Sequence, residues 1–195
     1  MRDLNIANIL TLMRIGLIPI FVICFYLPFG WHYLVTAAIF GLAAITDWFD
    51  GYIARKLNQM TKLGAFLDPV ADKLMVVVAL NLLVESYSTI WLAVPACIII
   101  AREVAVSALR EWMAEIGSRS KIAVSFIGKA KTTAQMFAIG GLLAFPPDSG
   151  HWVILVSYVL LYLAVALTLW SMFIYLRVAW PILTAEESVF KVRRD

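Results

Sequence analysis

Four aspartates stand in two closely spaced pairs within an apolar part of the chain. Asp47 and Asp50 are three residues apart, and Asp68 and Asp72 are four residues apart. On a helix each pair shares one face, because residues three and four apart are neighbours on the helix surface. If the two helices are joined by a short connection, they pack as antiparallel neighbours and the four carboxylates converge.

A cluster of this kind predicts a metal site. Carboxylates at close range in a low dielectric repel one another unless a cation neutralises them. Oxygen ligands without Cys or His indicate a hard cation, which is Mg²⁺, Mn²⁺ or Ca²⁺, and carboxylate-bound Mg²⁺ usually also holds substrate phosphates. The alternative is a set of structural Asp–Arg pairs, which would need fewer acids. The predicted metal ligands are Asp47, Asp50, Asp68 and Asp72.

The aspartates lie in a chain with the composition of a membrane protein. Of its 195 residues, 63% are hydrophobic, and the mean hydropathy is +0.88, whereas soluble domains are roughly half apolar. Turn and breaker clusters divide the chain into apolar stretches that approach the ~20 residues needed to cross a bilayer. We therefore predict an all-α fold, an integral membrane bundle that forms one domain over residues 1–195. The predicted transmembrane helices span roughly residues 5–27, 32–56, 66–84, 89–112, 128–145 and 151–177, followed by a polar tail at 178–195.

The basic residues fall on one side of this topology. All 16 Lys and Arg lie at the termini or near the second and fourth connections, and the connections at 28–31, 85–88 and 146–150 carry none. The positive-inside rule then predicts a multi-pass protein with both termini in the cytoplasm. Such a basic cytoplasmic face suits anionic lipids and phosphate-bearing substrates.

Ionisable residues recur at one depth in five of the six predicted helices. Counted from the outer end at ~1.5 Å per residue, each lies about 20 Å down, roughly 10 Å inside the cytoplasmic edge of the bilayer core. Charges at such depth normally face a bundle interior or a water-filled cavity, so we predict a polar cavity open to the cytoplasm. The sixth helix carries no charge at this depth and is predicted to be structural. The residues of the charged layer are Arg14, Asp47, Asp72, Arg102 and Lys131.

Basic residues on the fourth and fifth helices predict a phosphate-binding pocket. Arg102 and Arg110 are eight residues apart on one helix, about 80° around its axis, and Lys129 and Lys131 open the next helix. Arginine binds phosphate with two parallel hydrogen bonds. The alternative is that these cations pair with nearby glutamates. Adjacent residues on a helix do not face each other, which disfavours an Arg102–Glu103 pair.

The aspartates belong to a longer pattern that resembles the signature of the CDP-alcohol phosphotransferase family. All eight of its fixed positions are present, in the form Asp47-x₂-Asp50-Gly51-x₂-Ala54-Arg55-x₈-Gly64-x₃-Asp68-x₃-Asp72. Three further segments resemble the bacterial members that use glycerol 3-phosphate as acceptor. These are NILTLMR (8–14), AREVAVSALREWMAE (101–115) and GKAKTTAQM (128–136). The similarity covers nearly the whole chain and weakens after about residue 178.

The resemblance implies a six-helix fold in the bacterial cytoplasmic membrane, usually homodimeric, with two divalent ions among the aspartates. It implies transfer of the phosphatidyl group of CDP-diacylglycerol to glycerol 3-phosphate at the cytoplasmic side, in the synthesis of anionic phospholipids, with Asp72 as general base. The implied contacts to the CDP donor are Asn8, Thr11, Asp47, Asp50, Gly51, Ala54, Arg55, Gly64 and Asp68. The implied contacts to glycerol 3-phosphate are Arg102, Arg110, Lys129 and Lys131.

Other readings of the sequence remain open. The acceptor of the same chemistry is alternatively inositol phosphate, serine or a second phospholipid, although a basic pocket disfavours serine, which carries no phosphate. A divalent-cation transporter would also place aspartates inside the membrane, but its acids should continue toward the outer side. Only Glu85 and Asp148 occur there. A membrane scaffold would not need a charged layer at matched depth. We expect membrane lipids and no nucleic acid as partners.

Overall fold

A computed structural model describes the backbone of residues 6–56, 62–115 and 126–192, and this part of the chain is all-helical. The predictions of an all-α fold and of six helices are therefore confirmed for these residues. The predicted break at Gly117–Ser120 lies outside them. The helices are α1 (Ile6–Tyr26), α2 (His32–Lys56), α3 (Lys62–Tyr87), α4 (Ile90–Glu115), α5 (Phe126–Leu143) and α6 (Trp152–Val192), with a short 3-10 turn at Pro147–Ser149.

Two helices extend by at least four residues beyond a predicted end. Helix α3 begins at Lys62, four residues before the predicted start at 66. Helix α6 continues from the predicted end at 177 through Val192, so most of the predicted polar tail is helical. Residues 182–192 contain neither Gly nor Pro and include Leu, Ala and Glu, which favour helix. The predicted transmembrane span ended at 177 because the residues that follow are more polar. The helix continues because these residues have a high helix propensity.

The lysine-free connections lie together at one end of the bundle. The Tyr26 hydroxyl, at the end of α1, donates a hydrogen bond to the Glu85 carboxylate near the end of α3. The Tyr87 hydroxyl, at the end of α3, donates to the Leu142 carbonyl near the end of α5 at 3.2 Å. Helix α3 ends at Tyr87. The next residue, Ser88, adopts a φ of 45°, and its N–H donates a hydrogen bond to the Val84 carbonyl, which is a common way to end a helix.

Three exposed tryptophans ring this same end. Trp31, Trp91 and Trp152 are 74%, 71% and 69% exposed, and each lies within the first residues of a helix or just before it. Tryptophan concentrates at the boundary between bilayer and water, where its ring lies among the lipid headgroups. The ring of tryptophans is thus the arrangement expected at one boundary of a membrane bundle.

The helices pack around a single hydrophobic core. Helix α5 packs most extensively against α6, and α1 packs against α2 and α3, while α2 contacts α5 and α4 contacts both α3 and α6. Two three-helix groups, α1–α3 and α4–α6, therefore meet along α2, α3, α4 and α5. The largest buried core residues include Phe21, Phe40, Leu80, Leu83, Leu92, Ile99, Ile139 and Leu161.

The bundle is apolar on its outside as well as in its core. Within the described residues, Ile90–Met113 and Trp152–Pro181 are long and apolar enough to cross a membrane, and Thr11–Tyr26 and His32–Thr46 are shorter apolar stretches. Only 33% and 28% of the two long stretches is buried inside the protein. A core helix of a soluble protein would be mostly buried, so this exposure indicates a membrane protein. Six crossings remain a prediction.

The contact between α5 and α6 depends on a glycine. A Cβ at Gly141 would overlap the Ser157 hydroxyl and come within 3.3 Å of its Cβ and 3.4 Å of a Val153 methyl. We predict that Gly141→Ala lowers the stability by about 1–3 kcal/mol, the usual cost of overpacking, as measured by thermal unfolding in detergent. The control is Gly140→Ala, because a Cβ at Gly140 meets nothing within 4 Å. Equal unfolding temperatures for the two variants would contradict this packing.

Candidate functional site

Three basic side chains are buried inside the apolar bundle. Arg14 on α1, Arg102 on α4 and Lys131 on α5 are only 2%, 7% and 1% exposed. The charged layer was predicted from helix counting, and its burial is confirmed for these three residues. Burying a cation costs several kcal/mol unless other groups compensate, so each position is a candidate for function.

Arg102 and Lys131 converge on a single carboxylate. The Oε1 atom of Glu103 accepts a hydrogen bond from Arg102 Nη1 at 2.9 Å and another from Lys131 Nζ at 2.6 Å. The three side chains join α4 to α5 across the interior of the bundle. Among the described side chains two cations thus share one carboxylate, an arrangement that suits an anionic ligand.

The pairing of Arg102 with Glu103 corrects our prediction. The sequence argument held that adjacent helical residues point in different directions, which is true of their Cβ atoms. Both side chains are long, and Lys131 on the facing helix attracts the Glu103 carboxylate toward the interior. The third residue draws the neighbours together, which spacing along α4 does not reveal.

Helix α6 contributes a polar group to this cluster. Arg102 Nη2 lies 2.9 Å from the Ser171 hydroxyl, which in turn donates to the Thr168 carbonyl at 2.9 Å. We predicted from the sequence that α6 is structural because it carries no charge at this depth, and we did not foresee this contact to Arg102. The signal was present in the sequence, since Thr168 and Ser171 are small polar residues three apart in an otherwise apolar helix. We name Arg102, Glu103, Lys131 and Ser171 the α4–α6 cluster.

Several buried polar atoms near the α4–α6 cluster have no hydrogen-bond partner among the described residues. They are Arg102 Nε, Gln135 Oε1 and Thr168 Oγ1. Gln135 lies one turn after Lys131 on α5. Buried polar atoms without partners are uncommon and often belong to sites that bind a ligand or water. These atoms are therefore candidate contacts for a polar ligand.

Arg14 places the first helix against both halves of the aspartate motif. A small void beside Arg14 is lined by Ala44 of α2 and Met75 of α3, among others. Ala44 lies three residues before Asp47, and Met75 lies three residues after Asp72. Residues of α1, α2 and α3 therefore meet around this void, three residues along the chain from these two motif positions.

An apolar groove runs between α2 and α5 beside this void. Its volume is about 790 Å³, and it shares Phe40, Ala44 and Met136 with the void beside Arg14. Its other lining residues are mainly small or apolar, and Thr132 and Thr133 directly follow the buried Lys131. The full lining is Ala37, Phe40, Gly41, Ala44, Ile45, Thr132, Thr133, Met136, Phe137, Gly140 and Gly141.

The structure describes only some of the predicted site residues in atomic detail. It places residues 47–56 at the end of α2 and residues 62–72 at the start of α3, so each aspartate pair lies on one helix as predicted. Thr11 is buried on α1, one turn before Arg14. The predicted site residues that are not described in this detail are Asn8, Asp47, Asp50, Gly51, Ala54, Arg55, Gly64, Asp68, Asp72, Arg110 and Lys129.

Among the side chains that are described, no group of three His, Cys, Asp or Glu lies close enough to hold a metal ion. The predicted ligands are all in the motif, at Asp47, Asp50, Asp68 and Asp72. Their chemistry, oxygen donors alone, is the donor set for a hard divalent cation.

Comparison with known proteins identifies the family. The family model for CDP-alcohol phosphatidyltransferase matches residues 4–170, which include every predicted site residue. The chain belongs to this family. The CDP-diacylglycerol–glycerol-3-phosphate 3-phosphatidyltransferase of Yersinia enterocolitica is 59% identical over 178 residues, covering 91% of this chain and 96% of that protein. The protein of the same name from Salmonella typhimurium is 56% identical over 175 residues, covering 90% and 94%.

Membership of the CDP-alcohol phosphatidyltransferases confirms the resemblance on which the sequence predictions drew. The family model covers both aspartate pairs and ends at residue 170, immediately before Ser171 of the α4–α6 cluster. An enzyme of this family within an apolar bundle is a membrane protein. The cytoplasmic orientation, the number of metal ions and the roles of individual residues stay predictions.

Proposed function

We propose that this protein transfers the phosphatidyl group of CDP-diacylglycerol to the 1-hydroxyl of sn-glycerol 3-phosphate, forming phosphatidylglycerophosphate and CMP. This reaction belongs to the synthesis of anionic phospholipids such as phosphatidylglycerol and cardiolipin. The observation that carries the proposal is the burial of Arg102 and Lys131 together inside the bundle, in a chain 59% identical to a protein named for this reaction. A buried group of cations is what an acceptor that carries its own phosphate requires.

The aspartate motif is the proposed site of the donor and of metal. Asp47, Asp50, Asp68 and Asp72 would hold two divalent ions, Mg²⁺ or Mn²⁺, whose charge offsets that of the donor pyrophosphate when they are bound. The donor's CDP moiety would contact the start of α1 and the motif on α2 and α3. The proposed donor contacts are Asn8, Thr11, Asp47, Asp50, Gly51, Ala54, Arg55, Gly64 and Asp68.

The reaction forms one phosphorus–oxygen bond and breaks another. The acceptor hydroxyl oxygen attacks the phosphorus that carries diacylglycerol, and its proton passes to Asp72. The bond from that phosphorus to the bridging oxygen breaks, and CMP leaves with the electron pair. Most of the rate enhancement would come from positioning and from electrostatic stabilisation of the transferred group.

The acceptor is proposed to bind on the side of α4 and α5. Arg102 and Lys131 would hold the phosphate of glycerol 3-phosphate, together with Arg110, about two turns further along α4, and Lys129 at the start of α5. Charge-assisted hydrogen bonds to phosphate are about twice as strong as neutral ones. Gln135 Oε1 and Thr168 Oγ1 have no hydrogen-bond partner among the described residues, and we propose that they accept from the hydroxyls of the acceptor.

The groove between α2 and α5 is proposed to receive an acyl chain of the lipid donor. The groove is lined mostly by apolar and small residues. It adjoins the void beside Arg14 at Ala44 of α2, which lies within one turn of Asp47. A lipid whose pyrophosphate lies at the aspartates would therefore extend its acyl chain along this groove. The acyl chain leaves a lipid environment that is as apolar as the groove, so van der Waals packing rather than the hydrophobic effect would hold it there.

Filling this groove is predicted to weaken donor binding selectively. Gly140→Leu adds a side chain where a Cβ meets nothing within 4 Å, so the leucine occupies the groove without a clash at its Cβ. We expect the KM for long-chain CDP-diacylglycerol to rise about tenfold, with little change for a short-chain analogue. Gly16→Leu is the matched control, because a Cβ at Gly16 on α1 also meets nothing within 4 Å. An equal rise for both lipids would exclude the groove as an acyl site.

The protein is proposed to lie in the bacterial cytoplasmic membrane as a homodimer that crosses six times. The tryptophan-ringed end would face outward, and both termini and the active site would face the cytoplasm. The supporting observations are the apolar exterior and the absence of Lys and Arg from the connections at the tryptophan-ringed end.

Cysteine labelling tests this orientation. Cys97 is exposed and Cys24 is partly buried, so both must first be replaced. Single cysteines at Ser88 and Ser149 are then expected to react with a membrane-impermeant maleimide added to intact cells, because both lie at the tryptophan-ringed end. A cysteine at Ser118 is expected to react only after the cells are opened. The reverse pattern would overturn the proposed orientation.

The decisive test of function is an assay of the purified protein with CDP-diacylglycerol, Mg²⁺ and a panel of acceptors. We expect CMP release with glycerol 3-phosphate and phosphatidylglycerophosphate as the lipid product, identified by mass spectrometry. CMP release with inositol phosphate but not with glycerol 3-phosphate would replace the proposed acceptor. No CMP release with any acceptor would favour a divalent-cation transporter or a scaffold.

A further inference from the structure

We propose that Glu103 is a positioning residue that holds Arg102 and Lys131 ready for the acceptor phosphate, with Ser171 holding the far side of Arg102. This inference rests on the proposed function for the identity of the acceptor. It assigns a role to a carboxylate that lies outside the aspartate motif and to a hydroxyl on α6.

Hydrogen bonds to Glu103 and Ser171 fix the positions of the two cations. One oxygen of Glu103 accepts from both cations, at 2.9 Å from Arg102 Nη1 and 2.6 Å from Lys131 Nζ. The Ser171 hydroxyl accepts a hydrogen bond from Arg102 Nη2 at 2.9 Å, and it donates one to the Thr168 carbonyl. Two groups on different helices thus fix the guanidinium, while its Nε has no partner among the described residues.

Ordering Arg102 and Lys131 before the ligand binds reduces the loss of conformational entropy on binding. Arginine and lysine are among the side chains that lose the most rotamer freedom when they are ordered. A site that orders them in advance does not pay that cost when the ligand binds. Glu103 and Ser171 do this without using Arg102 Nε, which has no partner among the described residues and remains for the phosphate.

The burial of Arg102 and Lys131 side by side requires a counter-ion between them. Arg102 and Lys131 are both almost fully buried and point to the same atom. Without the carboxylate, the two cations would repel each other in a medium of low dielectric. They would then separate, and the phosphate would have to bring them together again.

The test replaces charge at Glu103 while keeping its shape. Glu103→Gln is expected to raise the KM for glycerol 3-phosphate about tenfold and to leave the KM for CDP-diacylglycerol within about twofold, because a hydrogen bond to a charged group contributes more than a neutral one. The matched control is Glu111→Gln, since Glu111 is an exposed carboxylate on the same helix. Its kinetic constants should match those of the unchanged protein.

Ser171→Ala keeps the proposal testable if Glu103→Gln fails to fold. This variant changes no charge, and loss of one neutral hydrogen bond should raise the KM for glycerol 3-phosphate about threefold. Ser107→Ala is the control, because the Ser107 hydroxyl donates only to the Glu103 backbone carbonyl one turn away. A general packing defect would instead change the KM of both substrates.

A double-mutant cycle separates positioning from an independent effect. If Glu103 acts through Lys131, then Glu103→Gln should change the KM for glycerol 3-phosphate less in a Lys131→Met background than alone. Additive effects, an unchanged KM, or equal rises for both substrates would overturn the proposal. A lowered KM for glycerol 3-phosphate would also overturn it, because the carboxylate would then compete with the phosphate.

A binding measurement distinguishes failure of this inference from failure of the proposed function. Inorganic phosphate is expected to raise the unfolding temperature of the purified protein and of Glu111→Gln, and to raise that of Glu103→Gln less. This result would support positioning even if glycerol 3-phosphate proves not to be the acceptor. If phosphate stabilises Glu103→Gln as much as the unchanged protein, the positioning role is wrong whatever the acceptor is.

Discussion

Asp47→Asn, Asp50→Asn or Asp68→Asn is each expected to lower CMP release by more than about a hundredfold. Each substitution replaces a charged oxygen ligand with a neutral amide in a site that we propose holds two divalent ions. Loss even of groups that only support metal ligands commonly costs ten- to a hundredfold, so loss of a ligand should cost at least as much. The measurement is CMP release from CDP-diacylglycerol in saturating Mg²⁺ and glycerol 3-phosphate.

Asp148→Asn is the control for this series. Asp148 is exposed in the 3-10 turn at the tryptophan-ringed end, far along the chain from the motif, and its loss should leave turnover unchanged. Chelation with EDTA should stop CMP release in the unchanged protein, and added Mg²⁺ or Mn²⁺ should restore it. Near-normal turnover of any of the three Asn variants at ordinary Mg²⁺ would remove that residue from the metal site.

Lys131→Ala and Arg102→Ala are expected to raise the KM for glycerol 3-phosphate far more than that for CDP-diacylglycerol. Loss of one charge-assisted contact to phosphate should cost about 1.5–3 kcal/mol, or roughly ten- to a hundredfold in affinity. Arg102→Lys should restore only part of the loss, because an ammonium group cannot reproduce the two-pronged contact of a guanidinium. Steady-state kinetics with each substrate varied in turn provides the measurement.

Arg177→Ala is the matched control, since Arg177 is an exposed arginine on α6 and its loss should leave both KM values unchanged. If Arg102→Ala and Lys131→Ala instead weaken CDP-diacylglycerol and leave glycerol 3-phosphate untouched, the buried cations serve the donor. The acceptor pocket would then have to lie elsewhere in the bundle.

The proposed arrangement divides the chemistry between the two halves of the bundle. Helices α1–α3 carry the aspartate motif and would bind the donor, whereas α4–α6 carry the buried cations and would bind the acceptor. The groove between α2 and α5 lies where the two groups meet. A lipid donor and a water-soluble acceptor could thus approach the same point from the membrane and from the cytoplasm.

The order of the helices could be predicted from the sequence because it is encoded locally, and the proposed reactive residues were selected from equally local patterns. A run of about 20 apolar residues is a helix long enough for a bilayer whatever its neighbours are. The spacing of Asp47 and Asp50 sets their common face on α2, and counting along α1, α4 and α5 was sufficient to predict that Arg14, Arg102 and Lys131 are deep. Burial of these three cations bears that out.

The tertiary structure alone decided which side chains meet. Spacing along α4 argued against a contact between Arg102 and Glu103, yet Lys131 from the facing helix draws the carboxylate toward both cations. Ser171 joins the cluster only because α6 packs against α4 and α5, and the α2–α5 groove exists only between two helices that are distant in the chain. Contacts across helices depend on their relative rotation and approach, and no periodicity within one helix specifies these.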